Sequence, residues 1–213
     1  MKEATGKLMQ MQVDTFAEVL GSDAPAPGGG SAAALAGVLG AALVSMVCAL
    51  TQGKEKYKDS EELVQTVQAE ATRLRLTLTE AVDRDTAAFE KVSAAFGMPK
   101  STEEEKQRRS QAIQDGLIAC IESPLGIMRC GLDVLKLAER LHGRYNSACA
   151  SDLGVGVLLV RAGVQGAWLN VRINLGSLKD REKAASYEEE ARGILEEAAA
   201  LAETSCRAVE AIL

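Results

Sequence analysis

Apolar residues recur every three to four positions along almost the whole chain, and no segment alternates apolar and polar residues over the length of a strand. Such spacing is typical of amphipathic helices. Because no repeat or flexible linker divides the chain, the pattern predicts a single all-α domain over residues 1–213, built as a helical bundle. We expect about seven helices, at approximately 8–20, 31–52, 60–96, 101–122, 123–141, 151–175 and 181–213.

Two of these boundaries depend on proline. Gly97-Met98-Pro99 is a helix stop and ends the long third helix. Ser123-Pro124 combines an N-cap residue with proline at the first helical position, and therefore predicts that a fifth helix begins there.

The second helix is apolar all round, with Ser45 as the one polar residue between Ala32 and Leu50. Its length approaches that of a membrane span, but alanine and glycine contribute little to insertion. We interpret it as the long central Ala/Gly-rich helix of the bundle, not as a membrane anchor. Glycines inside this helix and the sixth each cost about 1 kcal/mol relative to alanine, which indicates close helix packing or contact with a ligand.

Composition excludes several classes of function. A net charge of −6 and seven aromatic residues argue against a nucleic-acid surface. A single histidine and five scattered cysteines without a C-x-x-C pair predict no metal site and reduced thiols, which is typical of a cytoplasmic protein.

The stretch Pro25 to Ser31 joins two prolines to three consecutive glycines directly before the second helix. Ser31 occupies the expected N-cap position. Pro27, Gly28, Gly29 and Gly30 would leave the first backbone N–H groups uncovered, and such a helix start attracts anions and polar ligand atoms. No lysine follows as a phosphate loop requires, so a plain glycine-rich turn remains the alternative.

Two carboxylates are candidates for acid–base chemistry. Asp152 begins the glycine-rich sixth helix, where burial would raise its pKa; its alternative role is a helix cap. Asp85 is spaced with Ala88 and Phe89 so that it faces the core, whereas Asp83 points elsewhere. A solvated charge is the alternative for Asp85.

Amides and one Lys–Tyr pair complete the candidates. Asn170 and Asn174 lie four apart on one helix face and predict a bound polar partner or a hydrogen bond between helices. Lys54 and Tyr57 follow the second helix and would hold an anionic tail, unless they form only a solvated helix end.

Several segments carry a resemblance to one known family, and they occur in the same order over nearly the whole chain: Ser22–Ser31, Gly40–Thr51, Asp85-x-x-Ala-Phe89, Pro99-Lys100 with Glu103–Glu105 and Arg109, Ser151-Asp152, and Gly166–Leu175. With these segments the chain resembles the cyclodeaminase/cyclohydrolase family, which comprises the C-terminal half of formiminotransferase-cyclodeaminase and its stand-alone bacterial relatives.

The resemblance implies a homodimeric all-α enzyme with a helix-packed interface that acts on a tetrahydrofolate derivative as substrate, without a metal. Cyclohydrolases of the family interconvert 5,10-methenyltetrahydrofolate and 10-formyltetrahydrofolate. Cyclodeaminases convert 5-formiminotetrahydrofolate to the methenyl compound and ammonia. Stand-alone relatives of this length favour the cyclohydrolase; the cyclodeaminase is the first alternative and a non-enzymatic helical scaffold the second.

For the cyclohydrolase reaction we expect a carboxylate to stabilise the cationic amidinium carbon and to accept a proton from the attacking water. Asp152 is the first candidate for this role and Asp85 the second. Ser31 and Asn174 would orient the water or the emerging formyl oxygen. Gly29 and Gly30 would offer backbone N–H groups to the folate, with Asn170 beside them.

Overall fold

The computed structural model describes residues 7–213, and within this range it contains only helices, turns and loops. The all-α prediction is therefore confirmed. Three short 3₁₀ helices at Leu8–Gln10, Glu55–Ser60 and Ser147–Cys149 accompany six α-helices: α1 Val13–Leu20, α2 Gly29–Ala49, α3 Glu61–Phe96, α4 Glu103–Arg140, α5 Ala150–Leu175 and α6 Arg181–Glu210.

The helix count differs from the prediction because the predicted fourth and fifth helices form one continuous helix, α4, with Pro124 inside it. Proline has no N–H, so the carbonyl of Cys120, four residues earlier, lacks its helical donor. Asn174 Nδ2 of α5 donates to that carbonyl at 3.2 Å. A neighbouring helix therefore supplies the bond that Pro124 cannot make, and α4 does not end there.

The start of α4 is well defined. Thr102 is the N-cap, its hydroxyl accepts from the backbone N–H of Glu105, and the Glu105 carboxylate accepts from the backbone N–H of Thr102. This reciprocal capping box satisfies two backbone donors at once.

Helix α2 lies at the centre of the bundle and packs against both α3 and α5. It runs antiparallel to α5 along a seam of glycines. A Cβ on Gly40 would overlap Val160 and lie 2.6 Å from the carbonyl oxygen of Gly156. A Cβ on Gly163 would lie 2.8 Å from the carbonyl oxygen of Ala33. These glycines allow two helix backbones to touch, as the packing interpretation of the sequence expected.

Two helical stretches, Gly29–Ala49 and Ser147–Leu175, are long and apolar enough to cross a membrane, and half of each apolar window is buried within the bundle. Core helices of water-soluble proteins have the same length and composition, so this observation does not identify a membrane protein.

Candidate functional site

The bare helix start predicted from the glycines begins two residues earlier than expected. Gly28 is the N-cap, it has no capping side chain, and α2 begins at Gly29. The first helical bond in α2 runs from the N–H of Ala32 to the carbonyl of Gly28. The N–H groups of Gly29, Gly30 and Ser31 precede it and therefore have no partner within the helix.

The prediction that Ser31 caps this helix is wrong. Its side chain is completely buried, and its hydroxyl donates to the carbonyl of Val82 at 2.8 Å and lies 3.3 Å from Thr86 Oγ1. Ser31 lies within the first turn and faces α3, where it ties the two helices together. Its hydroxyl is therefore not exposed to a ligand, although its backbone N–H is at the site.

Asp85 of α3 places its carboxylate directly against the start of α2. A Cβ on Gly30 would overlap both carboxylate oxygens, so only glycine leaves room for them. Burial raises the pKa of Asp85, and a hydrogen bond from the backbone N–H of Ser31 opposes this rise. Asp83 is directed elsewhere and accepts the backbone N–H of Leu8 at 2.7 Å. The inward-facing carboxylate is thus Asp85.

The two asparagines of α5 lie on the other side of the helix start. A Cβ on Gly29 would be 3.6 Å from Asn170 Nδ2, which donates to the carbonyl of Gly166 at 2.9 Å. Asn174 Nδ2 donates to the carbonyls of Cys120 and Asn170, at 3.2 and 2.8 Å. Both hydrogens of the Asn174 amide nitrogen serve the backbone, whereas the Asn170 nitrogen uses one, so the side-chain groups left for a ligand are the two amide oxygens and one N–H of Asn170.

Cys120 also borders this region, and no feature of the sequence indicated it, because it lies in an ordinary apolar helical pattern. Its Sγ donates to the carbonyl of Ala88 at 3.3 Å. Burial, with a contribution from the charge of Asp85, raises the pKa of the Cys120 thiol to about 11. The thiol is therefore protonated at neutral pH and is a poor nucleophile.

A groove of about 520 Å³ runs between α3 and α4 on the neighbouring surface. Arg84, Lys91 and Arg129 give it a cationic lining, with Glu122 as its one carboxylate. Asp85 does not line it, although Arg84 is adjacent to Asp85 in sequence. The groove therefore borders the carboxylate site and does not contain it.

Three predicted site residues lie at the opposite end of the α2–α5 pair. Lys54 is exposed just beyond α2. Tyr57 Oη accepts the backbone N–H of Ser147 at 3.1 Å and donates to the Ser147 hydroxyl at 3.4 Å, and the hydrogen bonds with these two groups lower the pKa of Tyr57 to about 8. Asp152 is half-buried in the first turn of α5. It precedes Asn170 by 18 residues on the same helix, which is about 27 Å.

The structure thus divides the predicted residues into two groups. The Gly-rich end contains the buried Pro27 and Ser31 together with Gly28, Gly29, Gly30, Asp85, Asn170 and Asn174. The Tyr57 end contains Lys54, Tyr57 and Asp152, beside Ser147, which was not predicted. The expectation that Asp152 acts beside Asn170 does not hold within one chain, and Asp85 replaces it as the carboxylate at the Gly-rich end. No group of three or more potential metal ligands occurs among residues 7–213.

The backbone N–H groups at the start of α2, the desolvated Asp85 carboxylate and the amide oxygens of Asn170 and Asn174 form a site. Such a site suits a cationic substrate that makes hydrogen bonds. Comparisons with known proteins indicate the family of the chain. Residues 12–193 match the family model described as formiminotransferase-cyclodeaminase. The methenyltetrahydrofolate cyclohydrolase of Methylorubrum extorquens is 44% identical over 191 residues, which are 90% of this chain and 92% of that protein.

Two further proteins that are similar to this chain indicate the same family. The formimidoyltransferase-cyclodeaminase of Sus scrofa is 34% identical over 90% of this chain and 35% of that longer protein. The crystal structure of formiminotetrahydrofolate cyclodeaminase from Thermotoga maritima has a TM-score of 0.80 and 28% identity, and 97% of each chain is covered. The chain therefore belongs to the cyclodeaminase/cyclohydrolase family, as its motifs indicated.

Proposed function

We propose that this chain is a methenyltetrahydrofolate cyclohydrolase, which interconverts 5,10-methenyltetrahydrofolate and 10-formyltetrahydrofolate. The observation that carries the proposal is the 44% identity to the Methylorubrum extorquens cyclohydrolase, which extends over nearly the full length of both chains. The geometry of the Gly-rich end supports it, because that end offers a negative charge to a substrate whose reacting carbon is cationic.

In the proposed mechanism, the Asp85 carboxylate lies beside the amidinium carbon and stabilises its positive charge. A water oxygen attacks that carbon while one of its protons passes to Asp85. The bond from the carbon to N5 then breaks, the carbon keeps its bond to N10, and the remaining hydroxyl becomes the formyl carbonyl. N5 takes up one proton and one is released, so that cation plus water gives a neutral product and a proton.

The raised pKa of Asp85 suits this role. A carboxylate that is harder to ionise than usual is a stronger base when it is ionised. The N–H groups of Gly29 and Gly30 would hold an oxygen of the folate, and the amide oxygens of Asn170 and Asn174 would position the water.

The cyclodeaminase reaction is the alternative, and the similarity to the Thermotoga maritima cyclodeaminase favours it. There N10 would attack the formimino carbon and ammonia would leave, with Asp85 again beside a developing cation. A non-enzymatic scaffold is the further alternative.

The proposal includes a cytoplasmic homodimer. The five cysteines are free thiols, and all five lie buried or half-buried among apolar residues of the core. Such thiols persist in a reducing compartment.

The test follows the near-UV absorbance of methenyltetrahydrofolate, whose loss the protein should accelerate relative to a no-enzyme control. In a second assay 5-formiminotetrahydrofolate is supplied, and appearance of the same band together with ammonia would identify the cyclodeaminase instead. If neither rate changes and calorimetry detects no folate binding, the scaffold alternative stands. Asp83→Asn is the matched control for Asp85→Asn in each assay.

A further inference from the structure

Ser123 is a buried polar residue that serves neither the capping of a helix nor the Gly-rich end. The sequence predicts an N-cap there, but α4 continues through Ser123 and Pro124. Ser123 is 5% exposed, and its hydroxyl has no hydrogen-bond partner among residues 7–213. A buried hydroxyl without a partner costs free energy that a bound group can recover. Because Ser123 lines the groove between α3 and α4, that group would belong to a ligand of this α3–α4 groove.

The α3–α4 groove is formed by one face of each helix. On α3, Arg84, Ala88 and Lys91 are spaced four and three residues apart and therefore share a face. On α4, Gly126 follows Ser123 by three residues, and a Cβ on Gly126 would meet nothing within 4 Å. The volume of about 520 Å³ lies within the range of about 300–1,000 Å³ that is typical of sites for small molecules.

The α4 wall of the groove is held in place by α6. Arg129 donates from Nε and Nη2 to the two oxygens of Glu190, at 2.6 and 2.9 Å, and from Nη1 to Glu122 at 3.4 Å. The other Glu122 oxygen accepts the Tyr187 hydroxyl at 2.7 Å. Arg129 is therefore shared by two carboxylates, and neither Arg129 nor Glu122 is free to bind another charged group.

Arg84 and Lys91 are the charged side chains of the groove that remain for a ligand. Lys91 forms no ion pair with another residue of the range 7–213. Arg84 Nη2 lies 3.6 Å from a Glu80 oxygen, and both side chains are more than half exposed, so this pair contributes little. The two cations are two helix turns apart, about 10 Å along α3, and their long side chains can converge on one anionic group between them.

The α3–α4 groove does not open onto the Gly-rich end. Successive residues of a helix point about 100° apart, so Arg84 and Asp85 face different sides of α3. Helices α3 and α4 touch between those two sides, where Cys120 Sγ donates to the carbonyl of Ala88 at 3.3 Å. A ligand of the groove is therefore a second molecule and not the folate proposed to react beside Asp85.

We propose that the α3–α4 groove is a second binding site, and that its ligand is a small organic phosphate. Arg84 and Lys91 would hold the phosphate dianion, and the Ser123 hydroxyl, after rotation about χ1, would donate to one of its oxygens. The apolar part of the ligand would lie on Ala88 and Ala119. Two cations and a hydroxyl around one group match a phosphate, which has two charges and three terminal oxygens, better than a monocarboxylate.

The charge of the site is tested with phenyl phosphate, which joins a phosphate to a small apolar ring, and with calorimetry on the full chain. We expect binding that weakens with added salt and that phenol, which lacks the charge, does not show. The double variant Arg84→Gln/Lys91→Gln should bind at least about tenfold more weakly. Lys106→Gln/Arg108→Gln is the matched control, because it removes the same charge from exposed residues of α4 outside the groove, and it should bind like the wild type.

Two further variants separate the site from effects on the fold. Gly126→Leu fills the groove and should abolish binding, whereas Gly193→Leu on α6, where a Cβ also meets nothing within 4 Å, should not. Ser123→Ala should bind about fivefold more weakly. It should nevertheless unfold at the same temperature as the wild type or higher, because it removes a buried hydroxyl that has no partner. A Ser123→Ala variant that binds like the wild type would contradict the role of the hydroxyl.

The absence of phenyl phosphate binding to the wild type at millimolar concentration would overturn the inference. Undiminished binding by Gly126→Leu would overturn it too, and so would equal losses in a groove variant and its matched control, since the anion would then bind elsewhere. No folate is used in these measurements, so their outcome does not depend on the proposed function.

Discussion

The two ends of the α2–α5 pair shift the pKa of one polar group each, and they do so by different physical means. At the Gly-rich end, glycines remove side chains so that the Asp85 carboxylate fits against a helix start, and burial raises its pKa. At the Tyr57 end, the phenol is at the surface, and hydrogen bonds with Ser147 lower its pKa to about 8. Desolvation controls one group and hydrogen bonding the other, so each end should respond to a different kind of substitution.

The largest effect is expected from Asp85→Asn, which keeps the shape of the side chain and removes its charge. Loss of a general base lowers kcat by about 10²–10⁴-fold. The wild-type rate should rise with pH through an Asp85 pKa above that of an ordinary aspartate, and this limb should be absent from the variant. The measurement is kcat against pH for the variant, the wild type and Asp83→Asn.

The stability of the Asp85→Asn variant should rise at neutral pH, whereas its activity falls. The folded-state pKa of Asp85 is raised, so the stability associated with its neutral form is present at low pH and is lost as pH rises through that value. Asp85→Asn should therefore match the wild type in acid and be more stable at neutral pH, by thermal unfolding. A variant that is less stable at neutral pH would show that the N–H groups of α2 outweigh desolvation.

A graded glycine series tests the geometry of the same end. Gly30→Ala would force its Cβ into both Asp85 oxygens, whereas a Cβ on Gly28 meets nothing within 4 Å. Displacement of a reacting group by about 1 Å costs roughly 10²-fold in rate, and we expect that loss for Gly30→Ala. Gly28→Ala should retain the wild-type rate. Equal losses in both would indicate that chain flexibility matters more than space for the carboxylate.

The sequence predicted the Gly-rich end well because its signals are local. Three adjacent glycines identify the bare helix start, and the spacing of Asp85 from Ala88 identifies its inward direction. Phe89 was used in the same argument, but it is 45% exposed, so the buried Ala88 alone indicates the inward direction of Asp85. The position of Asp152 was also predictable: a helix that contains both Asp152 and Asn170 must hold them about 27 Å apart.

The continuity of α4 was not predictable from the sequence, because its cause lies in another helix. Ser123-Pro124 has every local property of a helix start. The compensating donor is Asn174, 50 residues later, and only the packing of α5 on α4 brings it to Cys120. The burial of Ser31 has a similar origin, since it depends on the carbonyl of Val82 in α3.

A smaller effect is expected at the Tyr57 end, where ionisation can be followed by ultraviolet absorbance. The chain has three tyrosines. Burial raises the pKa of Tyr145, and burial together with Glu122 raises the pKa of Tyr187 to about 12. Tyr57 should therefore ionise first, near pH 8. Tyr57→Phe should remove this first step, and Ser147→Ala should move it to higher pH. An unchanged titration in Ser147→Ala would assign the shift to the groups that remain, which are the backbone N–H of residue 147 and Lys56.

The smallest effect concerns Asn174. It decides whether this side chain stabilises the packing of α4 and α5 or binds the substrate. Asn174→Ala should destabilise the fold by about 1–3 kcal/mol, since it leaves the half-buried Cys120 carbonyl without a donor. Pro124→Ala supplies a backbone N–H for that same carbonyl. In the Pro124→Ala background, loss of Asn174 should therefore cost about 1 kcal/mol less, by urea unfolding.

Asn170→Ala provides the control for this cycle, because Asn170 Nδ2 donates to Gly166, which Pro124 does not affect. Its cost should be the same in both backgrounds. If Asn174 and Pro124 also show no coupling, the Asn174 nitrogen does not replace the missing N–H and is free to bind substrate. Strong coupling together with a retained rate would restrict Asn174 to holding α4 and α5 together, and Asp85 and Asn170 would remain as the groups that contact the folate.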